Sequence, residues 1–318
     1  MNPTMKKIFF HPELDILRAG WKIGIFFGLI AFSNIAVTMP VMSVIKMIPG
    51  IPVQTVGTMI AYIMITVATW VMLRFVDRRP FHSFGISFKV QWGNELTQGL
   101  LFGSSMMSVI FAIEYSTGMV TIEFRDLSFQ QAALTFTNSL ALYTVVGYGE
   151  EVLFRGYIFQ SFVEGTNKII ATLSISLLFA VAHAANPNAS MFGLINVGLA
   201  GIWLSIAYFK TRALWLPIGL HISWNFFQGF VYSYPVSGTS SENEQIGKAI
   251  VVGPDWLTGG AFGPEGGALA TLVMVIGTAV IYQWKWVGEA EGVWNYDQWR
   301  DDRKQQLITV TPEPVQEQ

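Results

Sequence analysis

Six side chains in this 318-residue chain pair reactive chemistry with an apolar setting. Glu150, Glu151 and Arg155 sit within GYGEEVLFRGYIFQ, His183 within SLLFAVAHAANP, and His221 and Asn225 within PIGLHISWNFFQ. A charged group inside a membrane-spanning segment costs about 2.5–3.5 kcal/mol on insertion scales, so each one asks for a functional reading. On a helix, Glu151 and Arg155 are i and i+4, share a face and can pair, which lowers the cost of burying either. Glu150 is turned about 100° away from Glu151 and points into a different space. His221 and Asn225 are also i and i+4, placing an imidazole beside a carboxamide. Two carboxylates, two imidazoles and a carboxamide, with no Ser or Cys beside a base, suit attack by an activated water. A glutamate takes the proton, a histidine positions the water or protonates the leaving group, and a second histidine with an asparagine stabilises the oxyanion. The same groups can instead hold a metal, because two His and one Glu (Glu150, His183, His221) is a zinc-hydrolase ligand set; spacing does not decide, since the three come from separate segments.

The elements that must position these groups are apolar. Of the residues, 52% are hydrophobic and only 13% charged, against roughly 25% charged in soluble domains. The 40 charges are clustered, six in residues 1–22, six in 74–95 and ten in 289–317, which leaves long uncharged runs. Eight windows approach the length of about 20 apolar residues that a bilayer core requires: 21–45, 53–73, 96–113, 132–149, 169–185, 190–209, 213–232 and 266–286. The expected fold is therefore all-α, a polytopic membrane bundle of about eight helices. The fourth window runs on past Glu150 and Glu151 into Val152–Phe159, as one long tilted helix or as a span followed by an interfacial helix.

On alternate sides of an eight-span arrangement, 16 of the 19 basic residues, Lys89 among them, fall on one side and Lys46, Arg125 and Lys248 on the other. This bias puts both termini in the cytoplasm. By helical rise, His221 lies about 12 Å from Arg212 and His183 about 22 Å from Lys168, which places the polar groups in one pocket in the cytoplasmic half of the membrane, opening to the cytoplasm. The first 20 residues carry no signal-peptide core, so the N-terminus is expected to remain. The expected organisation is a cytoplasmic segment (1–20), N-terminal transmembrane helices and loops (21–129), a catalytic core (130–232), an extracytoplasmic loop (233–265) that includes Glu242, a last transmembrane helix (266–286) and a charged cytoplasmic tail (287–318) ending in a disordered TPEPVQEQ.

Several classes drop out. With no cysteine there are no disulfides, thiolate metal sites or cysteine nucleophiles. A net charge of −2 without a dense basic stripe excludes nucleic-acid binding. No internal repeat is visible, which argues against a proton-coupled transporter. Each polar group also has a plain structural reading. Glu150 can be an interfacial cap, Arg155 a snorkelling anchor, and His183, His221 and Asn225 glue between membrane helices. The 11 tryptophans fit interfacial belts, and Gly193, Gly198 and Gly201 fit close helix packing. The conjunction of all six polar groups favours catalysis.

The three segments resemble the CPBP family, the CAAX prenyl protease and bacteriocin-processing family of intramembrane endopeptidases. Its EExxxR motif is matched by Glu150–Arg155, FxxxH by Phe179–His183, and HxxxN by His221–Asn225. The resemblance covers residues 130–232, and DRRPFHSFGISFK (77–89) is similar to the link that precedes the core in bacterial members. It implies that Glu150, with His183, activates water, that Glu151 pairs with Arg155 and holds the site in shape, and that His221 and Asn225 form the oxyanion hole. It favours a metal-free glutamate mechanism without a cofactor, with zinc as the alternative. The implied partners are a membrane-associated peptide or protein substrate and the lipid bilayer, and the implied location is the cell membrane, multi-pass. The contrasting expectation is a non-catalytic membrane scaffold or bacteriocin-immunity protein on the same fold.

Overall fold

The computed structural model describes residues 3–11, 13–48, 53–88, 91–241, 243–289 and 295–310. Lys89, Glu242 and the TPEPVQEQ ending lie outside these, together with what the sequence led us to expect of them. Each of the eight uncharged windows coincides with a helix. These are α1 (Ala19–Ile45), α2 (Thr55–Asp77), α3 (Trp92–Ser116), α4 (Phe129–Glu151), α6 (Lys168–Ala182), α7 (Met191–Thr211), α8 (Trp215–Phe226) and α9 (Ala268–Gln283). Between α4 and α6 lies α5 (Ile158–Gly165), and α10 (Tyr296–Val310) closes the described chain. Among the described residues, α1, α2, α3 and α7 are long and apolar enough to cross a membrane, while α6 and α9 are shorter apolar helices. The helical bundle expected from composition is the fold found.

Two features were not expected. An antiparallel strand pair, β1 (Val120–Phe124) and β2 (Gly247–Val251), with Val120 opposite Val251 and Phe124 opposite Gly247, ties the end of α3 to the long loop after α8. In the C-terminal tail, α10 meets the N-terminal segment, where Lys304 Nζ pairs with Glu13 at 2.6 Å, and the segment after α2, where the Arg79 guanidinium lies over Trp299.

Local chemistry explains where the helices begin. Ser128 and Gln131 form a reciprocal capping box at the start of α4, with Gln131 N–H donating to Ser128 Oγ at 3.3 Å and Ser128 N–H to Gln131 Oε1 at 2.9 Å. Asn167 Oδ1 accepts from the amides of Ile169 and Ile170 at the start of α6, and Ser190 Oγ accepts from Gly193 at the start of α7. Beyond Glu151 the α4 helix widens into a π turn over Val152–Tyr157 and breaks at Gly156 (φ −78°, ψ −121°) before continuing as α5. The fourth window is thus one long, kinked rod.

Small residues let the helices that carry the site approach closely. A Cβ at Gly99 of α3 would collide with the Leu216 carbonyl and stand 2.9 Å from the Gly219 Cα of α8. Gly147 of α4 lies against Ile222, and Gly201 of α7 lies against Ser176 of α6, where a Cβ would sit 2.8 Å from the Ser176 Cα. Backbones that close leave no room for lipid or water and fix the rotation of α8 against both neighbours.

Candidate functional site

Glu151, Arg155 and His221 form the buried floor of the site. Arg155 NH1 donates to Glu151 Oε1 at 3.0 Å across one helical turn, and its NH2 donates to the Gly201 carbonyl of α7 at 3.2 Å. The same Glu151 Oε1 lies 2.9 Å from His221 Nδ1. A carboxylate only accepts, so Nδ1 carries the proton and Nε2 is the nitrogen turned toward the cavity. Glu151 thus orients both a guanidinium and an imidazole, and the i, i+4 pairing read from the sequence is present.

Glu150 faces the open side. Tyr62 of α2 donates to its Oε1 at 3.3 Å. Its Oε2 is buried without a hydrogen bond and lies 3.7 Å from His221 Nε2 and 4.0 Å from His183 Nε2. His183 caps the C-terminus of α6 and its Nδ1 lies 2.8 Å from the Phe179 carbonyl. A carbonyl only accepts, so again Nδ1 is protonated and Nε2 faces Glu150. Phe179 packs on both imidazoles, with ring centroids 4.6 Å from His183 and 6.2 Å from His221, and the Arg155 guanidinium stacks on its face at 4.6 Å. Asn225 lies one turn beyond His221 and lines the same cavity. All six sequence-predicted residues therefore come together in two layers, Glu151 and Arg155 beneath and Glu150, His183, His221 and Asn225 against the cavity.

Among the described residues no group of three or more His, Cys, Asp or Glu side chains is arranged to hold a metal ion. Zinc ligand atoms sit about 2.0–2.2 Å from the metal, and Glu150 Oε2 stands 3.7 Å from His221 Nε2 and 4.0 Å from His183 Nε2.

The cavity, about 230 Å³, shows what sequence reading missed. Asn196 of α7, Trp203, Trp224 and Tyr143 line it, and from the loop after α8 come Ser237, Thr239, Ser240, Ser241, Glu244 and Glu265. Trp203 and Trp224 are buried wall residues, not belt residues. Glu265 is held by two anchors: Ser237 Oγ donates to its Oε2 at 2.6 Å, and Asn196 Nδ2 donates to its carbonyl at 2.8 Å. Burial pushes the Glu265 and Glu244 carboxyls above the usual range. The only sequence signal for Glu265 was a lone carboxylate in the glycine-rich run before α9.

Residues of the 233–265 loop line the cavity that Glu150, His183 and His221 share, a contact the sequence reading did not include. The segment 81–88 packs against the first turn of α8, with Leu214 N–H donating to the Gly85 carbonyl at 2.9 Å and Trp215 Nε1 to the Ser87 carbonyl at 2.8 Å.

Fold and site together define a helical membrane protein with a carboxylate–imidazole cavity inside the bundle. Residues 132–227 match the family described as type II CAAX prenyl endopeptidase Rce1-like, a family of proteases, and this segment contains all six residues. The match falls on the segment whose three motifs resemble that family. Relatives include Uncharacterized protein YyaK of Bacillus subtilis (strain 168), 24% identical over 53% of this chain and 58% of that protein. Another is Putative membrane peptidase YdiL of the same organism, 24% identical over 58% of this chain and 74% of that protein. A third is UPF0177 protein YvdC of Lactococcus lactis subsp. lactis (strain IL1403), 27% identical over 40% of this chain and 48% of that protein. The chain thus spans little more than half the length of YyaK and about half that of YvdC. No solved structure matches it.

Proposed function

We propose that the chain is a multi-pass cell-membrane endopeptidase that hydrolyses a peptide bond near the membrane in a CAAX-protease-like manner, without a metal. The reading includes eight spans, both termini cytoplasmic, and the division into N-terminal helices, a 130–232 core, a 233–265 loop and a last span. One observation carries it: a buried carboxylate oxygen, Glu150 Oε2, has no hydrogen bond and faces two imidazole nitrogens at 3.7 and 4.0 Å. Separations above 3.5 Å suit a bridging water.

The residues then divide the work. Glu150 takes a proton from that water while His183 Nε2 orients it, and the resulting hydroxide oxygen bonds to the substrate carbonyl carbon. Negative charge develops on the carbonyl oxygen, where the Asn225 amide donates to it and His221, doubly protonated with its Nδ1–H held by Glu151, donates through Nε2. The C–N bond breaks and the departing amine receives the proton held by Glu150. Glu151 and Arg155 make no contact with substrate; they hold His221 in place and keep its Nδ1 protonated. The family and the relative named a membrane peptidase support the same reaction class.

The test compares peptide termini in membranes carrying the wild type or Glu150→Gln, an isosteric change that keeps the fold. A new C-terminus that appears only with the wild type identifies the substrate, and it persists in the presence of a metal chelator. Undiminished cleavage by both Glu150→Gln and His221→Ala defeats the mechanism. A cellular phenotype that survives both substitutions, with no wild-type-only terminus, identifies a scaffold instead.

A further inference from the structure

The two ends of the bundle differ in charge, and the cavity reaches only one of them. One end gathers the basic flanks: Lys22 with Asp77 and Glu164, Arg79 with Gln160, Arg212 with Glu289, and Lys304 with Glu13. It belongs to the side that holds 16 of the 19 basic residues. At the other end are the β1–β2 pair, with Arg125 and Lys248, and the loop after α8. That loop is fastened over the site. Asn186 Nδ2 donates to the Ser237 carbonyl at 3.0 Å, Ser139 Oγ to the Glu244 carbonyl at 2.6 Å, and Tyr234 OH to Glu114 Oε2 at 2.7 Å. The cavity wall passes from buried His221 and Asn225 to exposed Thr239 and Ser240. Its exposed polar lining therefore belongs to the end poor in basic residues, and the basic end is closed beneath Glu151 and Arg155, both buried.

Lys and Arg accumulate on the cytoplasmic side of short loops, so the basic end faces the cytoplasm. From these placements we infer that the cavity opens to the extracytoplasmic face, and that its substrate is a peptide segment at the outer membrane surface, reaching Glu150 past Thr239, Ser240 and Ser241. A lipidated C-terminal tail in the cytoplasm lies on the wrong side of Glu151 and Arg155. The hydroxyl-rich mouth offers hydrogen bonds to an extended backbone without demanding charge. This inference rests on the peptidase reading for its substrate but not for its orientation.

The absence of native cysteine makes the test direct. Single variants Ser240→Cys, at the mouth, and Lys168→Cys, at the exposed start of α6, are expressed in bacterial cells and treated as sealed spheroplasts with a membrane-impermeant maleimide, before and after permeabilisation. The expected result is labelling of Ser240→Cys in sealed spheroplasts and of Lys168→Cys only after permeabilisation. The reverse pattern overturns the orientation, whether or not the protein is active, and Thr239→Cys repeats the reading if Ser240→Cys accumulates poorly. A bulky impermeant label on Ser240→Cys should also abolish whatever Glu150-dependent cleavage the unlabelled variant retains; cleavage that continues unchanged on labelling overturns the access route. Absence of any Glu150-dependent product defeats the peptidase reading alone and leaves the labelling result standing.

Discussion

Two clusters of buried charge lie in this bundle, and they are built differently. At the basic end, Lys22 Nζ is 2.9 Å from Asp77 and 2.6 Å from Glu164, and Arg79 NH2 is 3.4 Å from Asp77. Every charge there has an opposite charge at contact distance, and the cluster staples α1, α2 and α5 together. In the site, Glu151 Oε1 meets the Arg155 guanidinium at 3.0 Å and His221 Nδ1 at 2.9 Å, whereas Glu150 Oε2 faces only two imidazoles, across 3.7 and 4.0 Å. A carboxylate in contact with a guanidinium or an ammonium is held in its ionised form and serves as structure. One left facing imidazoles across a gap keeps its capacity to accept a proton, and that difference separates a staple from a base.

The sharpest way to break this comparison is to neutralise one carboxylate of each kind. Glu150→Gln should lower the cleavage rate by about 10²–10⁴-fold, the usual contribution of a general base, with the thermal midpoint in detergent nearly unchanged. Lys22→Met should do the opposite. It strands Asp77 and Glu164 without their shared cation, costs about 3–5 kcal/mol of stability as breaking a buried pair does, and leaves the rate per folded molecule as it was. Turnover and melting curves on both variants check the pair of predictions. A rate loss with Lys22→Met at full folding would erase the distinction between staple and base.

A smaller effect is expected at the start of α4, which is capped by neutral hydrogen bonds. Ser128→Ala removes one half of the capping box on α4 and should cost about 1 kcal/mol. Glu150 lies about 33 Å along the helix from Ser128, so catalysis should be unaffected. Denaturant midpoints against turnover separate the two.

What was legible in the sequence was local. Glu151–Arg155 and His221–Asn225 are one-turn relations, and the helical period alone puts each pair on one face. That the three segments converge was read from resemblance and from the scarcity of charge in apolar runs. The rest depends on contacts between distant parts of the chain. Tyr62 reaches Glu150 from α2, Asn196 and Ser237 anchor Glu265, and the 81–88 segment accepts from the first residue of α8. None of these has a spacing that marks it. The strand pair was missed for another reason: VTIEF alternates as a strand should, but a scan for uncharged windows of 20 residues passes over a segment of five.

Glu265 offers the finest test, because it sits at the border between the two kinds of cluster. Its carboxyl is pushed up chiefly by burial, against the hydrogen bonds of Ser237 and Gln228 and the nearby His183 and His221, which pull it down. A raised folded-state value means that the folded protein binds the proton more tightly than the unfolded chain. Stability from this group is then fully present below the ordinary carboxylate range and falls as pH rises from that range through the raised value. Glu265→Gln keeps an oxygen to accept from Ser237 Oγ and removes the titration. The variant should therefore melt close to the wild type at the acid end and show a shallower decline toward neutral pH, read from melting temperatures across that window. An identical slope in both proteins would place Glu265 with the staples, permanently ionised. A flattened slope with cleavage intact would show that the loop over the cavity is held by a neutral carboxyl, leaving Glu150 to take up the proton that catalysis moves.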